Sequence, residues 1–434
     1  MSQNTFLMEE ANRCLLCKNP RCSKHCPVNT SIPEVIELYK QGELKKAGEI
    51  LFENNPLSAI CALVCEHEKQ CEGNCIRGVK GIPIPFYKME EEISLKYLEE
   101  LHFEKGAENK ERIAVIGGGP AGITIALLMQ RKGYKVTIFE SRNRIGGVLR
   151  YGIPEYRLPK YIIDLLEKHL LDLGVKIRPN ILIGPVLSLD KLFEDGYAAA
   201  FIGTGVWNPR TLGIKGESFG NVHFAIDYLK SPETYHLGEN VAIIGAGNVA
   251  MDAARTAKRS GSRATIIYRK GMENMTASKK EIAEAEEDGV EFLLHHSPVE
   301  ITDEGIILKK QEEGQPEEEV FFKADSIIVA ISQNPRANIV SNTTDLETNN
   351  LGLLLTDEKG HTTKEGTFAS GDVVTGARTV VEAVHQAKIV AEEIEEYCEL
   401  LLECAKNDEV SNELIDKKKR IIELYKKEQK NSPL

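Results

Sequence analysis

Two kinds of periodicity divide the chain. From residue 1 to about 108, apolar positions recur at helical spacing in short runs, among them Ile32 to Tyr39 and Leu44 to Phe52, punctuated by Pro27, Pro33 and Pro56. The charged stretch Glu99 to Arg112 reads as a linker. From Arg112 the pattern becomes short continuous apolar runs alternating with helical stretches. That alternation predicts a parallel α/β architecture, because parallel strands are buried on both faces. The predicted strands are Ile113–Ile116, Val136–Phe139, Ala199–Ile202, Val241–Ile244, Thr265–Tyr268 and Ser326–Ala330. Two glycine-rich turns, near residues 117 and 245, each follow one of these strands, which implies two dinucleotide-binding units in one chain. After Ala391 the sequence turns acidic, then basic, and keeps helical spacing to Leu434, as a solvated packing helix would.

At roughly 150 residues per domain, 434 residues suggest about three domains. The balance of 54 Lys and Arg against 66 Asp and Glu leaves a net charge of −12. An acidic chain lacks the basic footprint of phosphate-backbone binding, so nucleic acid is not an expected partner. The N-terminus MSQNTFLMEE has neither the basic nor the apolar segment of an export signal. The most apolar stretch, Ile113 to Met129, is broken by glycines and a proline and falls short of a membrane span. The expectation is a cytoplasmic protein with no membrane partner.

The cysteines add a chemistry. Of the ten, only Cys398 and Cys404 lie outside the stretch from Cys14 to Cys75. Cytosolic thiols stay reduced, so clustered cysteines there suggest metal ligands rather than disulfides. The first group is Cys14-x2-Cys17-x4-Cys22-x3-Cys26-Pro27, and the second is Cys61-x3-Cys65-x5-Cys71-x3-Cys75. Zinc ribbons pair two C-x2-C units across a longer loop, whereas a compact run closed by Cys-Pro matches the wrapping of an iron–sulfur cube. Structural zinc and free thiols are the alternatives. In two-cluster ferredoxins the cysteine before the proline ligates the other cluster, and the same crossover is expected for Cys26. Eight cysteines would suit two 4Fe–4S clusters.

Strand Ile113–Ile116 runs into Gly117-Gly118-Gly119-Pro120-Ala121-Gly122 and a helical run to Gln130. The G-x-G-x-x-G spacing places a pyrophosphate over a helix N-terminus, where free N–H groups favour anions. Glu140 ends the next strand, where it can hydrogen-bond a ribose 2′-hydroxyl. The second unit repeats the pattern with Gly245-Ala246-Gly247-Asn248-Val249-Ala250, but Arg269 and Lys270 stand in the position matching Glu140. A carboxylate repels a 2′-phosphate and a guanidinium accepts one, so the second site leans to NADP(H) over NAD(H). A third segment, Phe368-Ala369-Ser370-Gly371-Asp372, precedes a helical run from Thr379 to Ile394. It could bring Asp372 to a flavin ribityl chain and aim a helix terminus at the ring.

Across roughly residues 5 to 397 the chain resembles the small subunit of bacterial glutamate synthase, the flavin part of dihydropyrimidine dehydrogenase, and the large subunit of NADH-dependent ferredoxin:NADP oxidoreductase. The match is carried by both cysteine groups, GGGPAG at 117–122, FESRNRIGG at 139–147, YGIPEYRLP at 151–159, GTG at 203–205, GAGNVAMD at 245–252, YRKG at 268–271 and ASGDVVTGARTVVEAV at 369–384. The resemblance implies a helical domain with two 4Fe–4S clusters over 1–108. An FAD domain over 109–235 and 336–397 follows, interrupted by an NAD(P)H domain over 236–335, with a helical tail at 398–434. Cys14, Cys17, Cys22 and the non-cysteine ligand Glu90 would hold one cluster. Cys26, Cys65, Cys71 and Cys75 would hold the other, with Cys61 a neighbour. FAD would use the 117–122 loop, Glu140, Gly147, Arg157, Gly371, Asp372, Thr379 and Val380, and NAD(P)H would use Gly245, Gly247, Asn248, Val249, Arg269 and Lys270. Thr276 stands where some NADPH-using relatives place another Arg, which weakens the NADP assignment.

Nicotinamide gives electrons in pairs and an iron–sulfur cluster takes them singly, and a flavin can convert between the two. The resemblance therefore implies an electron-input subunit that works with a substrate-reducing partner in a hetero-oligomer, or passes electrons to ferredoxin. A bifurcating subunit and a free-standing NAD(P)H:ferredoxin reductase are the alternatives. No side chain is expected to act as a nucleophile or general base.

Overall fold

A computed structural model describes residues 3–104, 106, 109–310 and 317–404. The chain forms two compact units. The first holds the described residues of 1–147, 160–206 and 335–434, and the second holds 148–159 and 207–334.

In the first unit, helices Gln3–Asn12, Ile32–Lys40, Leu44–Asn54, Ser58–Val64 and Phe86–Glu100 build the N-terminal part. Helix Ile32–Lys40 buries Ile32, Val35, Ile36 and Tyr39, the i, i+3, i+4, i+7 stripe of an amphipathic helix. These side chains meet Leu7, Leu51, Met89 and Ile93 in one core. A Cβ on Gly48 would lie 2.4 Å from Tyr97 Cβ, so glycine is what lets helices Leu44–Asn54 and Phe86–Glu100 approach this closely. The rest of this unit carries a five-stranded parallel sheet in the order Thr367–Ala369, Tyr197–Ile202, Arg112–Ile116, Lys135–Phe139, Lys176–Arg178. Helix Pro120–Arg131 packs against the sheet and against the long helix Val380–Cys404. Arg131 forms a two-pronged ion pair with Glu53, at 3.0 and 2.5 Å, tying this part to the N-terminal helices.

The second unit has its own five-stranded parallel sheet, in the order Val222–Phe224, Ser326–Val329, Asn240–Ile244, Arg263–Tyr268, Glu291–Leu294. An antiparallel meander of His296–Ile301, Gly305–Lys310 and Glu318–Lys323 buries Ile301, Ile306 and Leu308 against the sheet residues Ile244 and Ile267. Among the described residues no helix is long and apolar enough to cross a membrane.

Each predicted strand lies within one residue or two of an observed one, and two parallel sheets stand where two were expected. The limits between the parts differ. The first crossing falls at Val206/Trp207 instead of 235/236, because Val222–Phe224 pairs with the second sheet and Asn208–Pro209 pairs with Gln333–Asn334. Val148–Pro159 also leaves the first unit for the second. The expected tail at 398 is continuous with the long helix as far as Cys404, and residues 405–434 lie outside the described residues.

Candidate functional site

The first glycine loop leaves strand Arg112–Ile116 and enters helix Pro120–Arg131. Its compactness requires glycine. A Cβ on Gly122 would lie 1.9 Å from the Gly117 carbonyl oxygen, and Gly117 itself, at φ +99°, lies against the backbone of Gly203. Gly119 is the helix N-cap and offers no side-chain acceptor, and Pro120 has no N–H, so the first-turn N–H groups of Ala121 and Gly122 are left to another anion. Gly147, at φ +53°, passes close to Gly119 and closes the loop from the side. Glu140 is buried at the end of the neighbouring strand. Its Oε2 accepts the Gly118 N–H at 2.8 Å and its Oε1 accepts the Arg142 N–H at 2.9 Å. The structure thus brings the carboxylate to the loop.

At the far edge of the same sheet, strand Thr367–Ala369 delivers Ser370, Gly371 and Asp372. A Cβ on Gly371 would stand 3.5 Å from Ala121 Cβ, so the segment packs against the first loop's helix. The Asp372 carboxyl is pushed up to about 6 by burial and accepts the Arg378 N–H at 3.1 Å. Ser370 Oγ is buried without a protein partner, which leaves a polar group for a ligand to satisfy. Thr379 and Glu382 form a reciprocal capping box at the start of the long helix. Val380 is that helix's first residue. These features fit a bound dinucleotide-type flavin.

In the second unit, Gly245 (φ +144°) packs on the Ala330 carbonyl and Gly247 caps helix Asn248–Arg259, again with no side-chain acceptor. Val249 follows in the helix's first turn. Asn248 Oδ1 accepts the Ser278 N–H at 2.9 Å and so braces the loop rather than reaching outward. Arg269 and Lys270 are exposed just beyond strand Arg263–Tyr268. Thr276 bonds the Ala246 backbone.

Arg157 departs from the expectation of a flavin contact. It lies on the segment that joins the second unit, where Nη1 donates to both Asp252 oxygens, at 2.8 and 2.7 Å, and Nη2 pairs with Glu281 at 2.5 Å. Its guanidinium is engaged inside this unit, nearly buried, and Tyr156 beside it lies under Arg255 and Arg259. A single sequence cannot show that two carboxylates so far along the chain would claim this charge.

The cysteines line two cavities in the first unit. Cys14, Cys17, Cys22 and Cys75 share one, with Pro20, Pro33 and Ile84 among its walls. Cys26, Cys61, Cys65, Cys71 and Glu90 share the other. Cys26 lines the cavity of the second group and not that of its own. The lining differs from the grouping that the resemblance implies in one exchange: Cys75 stands with Cys14, Cys17 and Cys22, and Glu90 with Cys26, Cys65 and Cys71. Helix Phe86–Glu100 explains it, since Glu90 follows the core residue Met89 and is buried beside the second cavity.

The donor chemistry fits iron–sulfur groups. Burial pushes the thiols of Cys14, Cys26 and Cys71 up and that of Cys22 up to about 11, while the neighbouring Cys61 raises Cys65 most strongly. Burial alone lifts Glu90 to about 8. Thiolates confined in such places need a cationic group in place of their protons. Among the described residues no three His, Cys, Asp or Glu side chains converge as one metal ion would require. Ligands of a four-iron cube sit on separate corners, so they stand farther apart than those of a single ion.

Comparison with known proteins agrees with this geometry. The family model for pyridine nucleotide-disulphide oxidoreductases matches residues 111–387, and that for dihydropyrimidine dehydrogenase domain II, 4Fe-4S cluster, matches residues 1–101. The chain is 31% identical to the glutamate synthase [NADPH] small chain of Halomonas elongata, covering 90% of each chain. It is 32% identical to the NAD-dependent dihydropyrimidine dehydrogenase subunit PreT of Escherichia coli K12, covering 92% of this chain and 95% of that one. Among solved structures it shares the fold of FprA from Mycobacterium tuberculosis, with a TM-score of 0.60 and 17% identity, covering 71% of this chain and 89% of that one. The two glycine loops, the two cysteine cavities and these matches place the chain in the pyridine nucleotide-disulphide oxidoreductase family, among the members that carry an N-terminal 4Fe–4S domain, and make it an NAD(P)H-dependent FAD and iron–sulfur oxidoreductase.

Proposed function

We propose that the chain is the electron-input subunit of a larger enzyme, taking electrons from NADPH and passing them through FAD and two 4Fe–4S clusters to a substrate-reducing partner of the glutamate synthase or dihydropyrimidine dehydrogenase type. One observation carries the reading most. The long helix that begins beside Asp372 with Thr379 and Val380 puts its next residue, Val381, into the wall of the cavity formed by Cys26, Cys65, Cys71 and Glu90. One helix start therefore borders both the flavin cradle and a cluster cavity. When bound, the flavin would accept one hydride, with its electron pair, and the clusters would carry single electrons.

The chain's own residues then hold and orient. Gly117, Gly119 and Gly122 let the backbone approach a pyrophosphate, Glu140 faces a ribose, and Asp372 faces the ribityl side. Cys14, Cys17, Cys22 and Cys75 would ligate one cluster, and Cys26, Cys65, Cys71 and Glu90 the other. Arg269 and Lys270, both exposed, would meet a 2′-phosphate. The relatives' names, one a small chain and the other a subunit, support a separate partner.

Three outcomes are expected. Gly122→Ala, whose new Cβ would meet a carbonyl oxygen at 1.9 Å, should purify with little flavin, read from visible absorbance per chain, while its iron content persists. Arg269→Ala with Lys270→Ala should raise the KM for NADPH about tenfold or more and leave that for NADH nearly unchanged, since each lost charge-assisted hydrogen bond is worth about 1.5–3 kcal/mol. An equal effect on both coenzymes would contradict the 2′-phosphate role. Cys71→Ala should still be bleached by NADPH but lose reduction of one-electron acceptor proteins. Undiminished reduction of ferredoxin by this variant would sink the proposed route.

A further inference from the structure

Lys388 lies two turns beyond Val381 on the long helix, on the same face. It is half-buried, and its ammonium reaches the N-terminal helices. There Nζ donates to the Asn54 backbone oxygen at 2.8 Å and to Asn54 Oδ1 at 2.9 Å. Asn54 Nδ2 donates to Thr30 Oγ1 at 3.3 Å. Thr30, buried and part of the same cavity wall, has Oγ1 3.3 Å from Cys26 Sγ.

The direction of this chain is forced. An ammonium has donors only, so Asn54 must turn its oxygen to Lys388 and its amide N–H groups to Thr30. The Thr30 oxygen then accepts, and its hydroxyl proton is free to point at sulfur. When Cys26 is a thiolate ligand it can only accept, and every donor in the chain points the same way, from the lysine charge to the sulfur. Bonds aligned in this manner polarise one another.

We propose that Lys388, Asn54 and Thr30 form a polarised relay that makes the cluster ligated by Cys26 easier to reduce. This rests on the proposed ligation of that cluster. Reduction adds one electron, supplied by the nicotinamide, and one negative charge, with no bond made or broken. Hydrogen bonds to the sulfurs, net charge and solvent exposure set cluster potentials. The relay supplies the first two, and its position on the flavin-side helix puts it at the cluster next to the electron donor. Lys388 and Thr30 are positioning residues, since neither is a ligand.

The test is EPR-monitored redox titration of the full-length, flavin- and iron-loaded chain, comparing Lys388→Met, Lys388→Gln, Thr30→Val and Thr30→Ser. Lys388→Met and Thr30→Val are expected to make one-electron reduction of one cluster about tenfold less favourable, a fall of about 59 mV, and to leave the other cluster unchanged. Lys388→Gln, which keeps a donor without the charge, should fall between, and Thr30→Ser should match the native chain. Fully loaded Lys388→Met and Thr30→Val proteins with unshifted potentials would overturn the relay. So would loss of the cluster in both lysine variants, because the residue would then hold structure rather than potential. A native chain that purifies without cluster signals would instead overturn the proposed function.

Discussion

Cys75→Ala is expected to remove about half of the chain's iron and to abolish the same EPR signal as Cys14→Ala. In the structure Cys75 closes the cavity of Cys14, Cys17 and Cys22, while Cys26, Cys65, Cys71 and Glu90 remain complete around the other. A cube that loses one of four protein ligands exposes an iron corner and becomes labile. The single variants and the Cys14→Ala/Cys75→Ala double variant should therefore retain the same iron and sulfide per chain, because both residues serve one centre and the second loss has nothing left to remove. Cys71→Ala should abolish the other signal. If Cys75→Ala instead abolished the signal lost in Cys71→Ala, the grouping that follows from the sequence resemblance would be restored and the one argued from the cavities would be wrong.

Arg157→Ala is expected to destabilise the second unit by about 3–5 kcal/mol, the cost of leaving buried carboxylates without their counter-charge. Asp252 and Glu281 both lose a partner, and the segment Val148–Pro159 loses these ion pairs while Tyr156 still lies under Arg255 and Arg259. The effect should depend on pH with a definite sign. Burial already holds Asp252 up at about 6 and Glu281 above its ordinary value, even with Arg157 pulling both down. A carboxyl raised on folding binds more protons in the native state than in the unfolded one, so its contribution is present at low pH and lost as pH rises through the folded value. Removing the guanidinium raises both further. The difference in denaturation midpoint between native and variant proteins should therefore be larger near pH 8 than near pH 5. A difference that does not change with pH would contradict the buried pairing.

Much of the fold was legible in the sequence, and the reason is physical. Runs such as Ile113–Ile116 and Val241–Ile244 are wholly apolar because both faces of a parallel strand are covered, and the glycines at 117, 122 and 245 are required by backbone contacts that any Cβ would break. The strands at Lys176–Arg178 and Glu291–Leu294 are not wholly apolar because they lie at sheet edges, where no residue of either is fully buried. The meander strand Glu318–Lys323 mixes charge with Val320, Phe321 and Phe322, so its pattern is weak.

The sites divide in the same way. The residues of each glycine loop are local, and Glu140 stands at a fixed strand spacing from the first, so spacing finds them. The exchange of Cys75 and Glu90 depends on how helix Phe86–Glu100 packs on Ile32–Lys40, a tertiary fact without a local signal. The same holds for Arg157, whose partners lie 95 residues and more away, and for Lys388, 334 residues from Asn54.

On the proposed function this chain turns the hydride of NADPH into single electrons on iron–sulfur clusters. Anaerobic titration of the purified full-length chain with NADPH, followed by visible absorbance and low-temperature EPR, tests it most directly. Bleaching of a flavin spectrum and the appearance of signals from two distinct 4Fe–4S clusters are expected, with NADH less effective. A chain without iron, or one in which neither nucleotide reduces flavin or cluster, would contradict it.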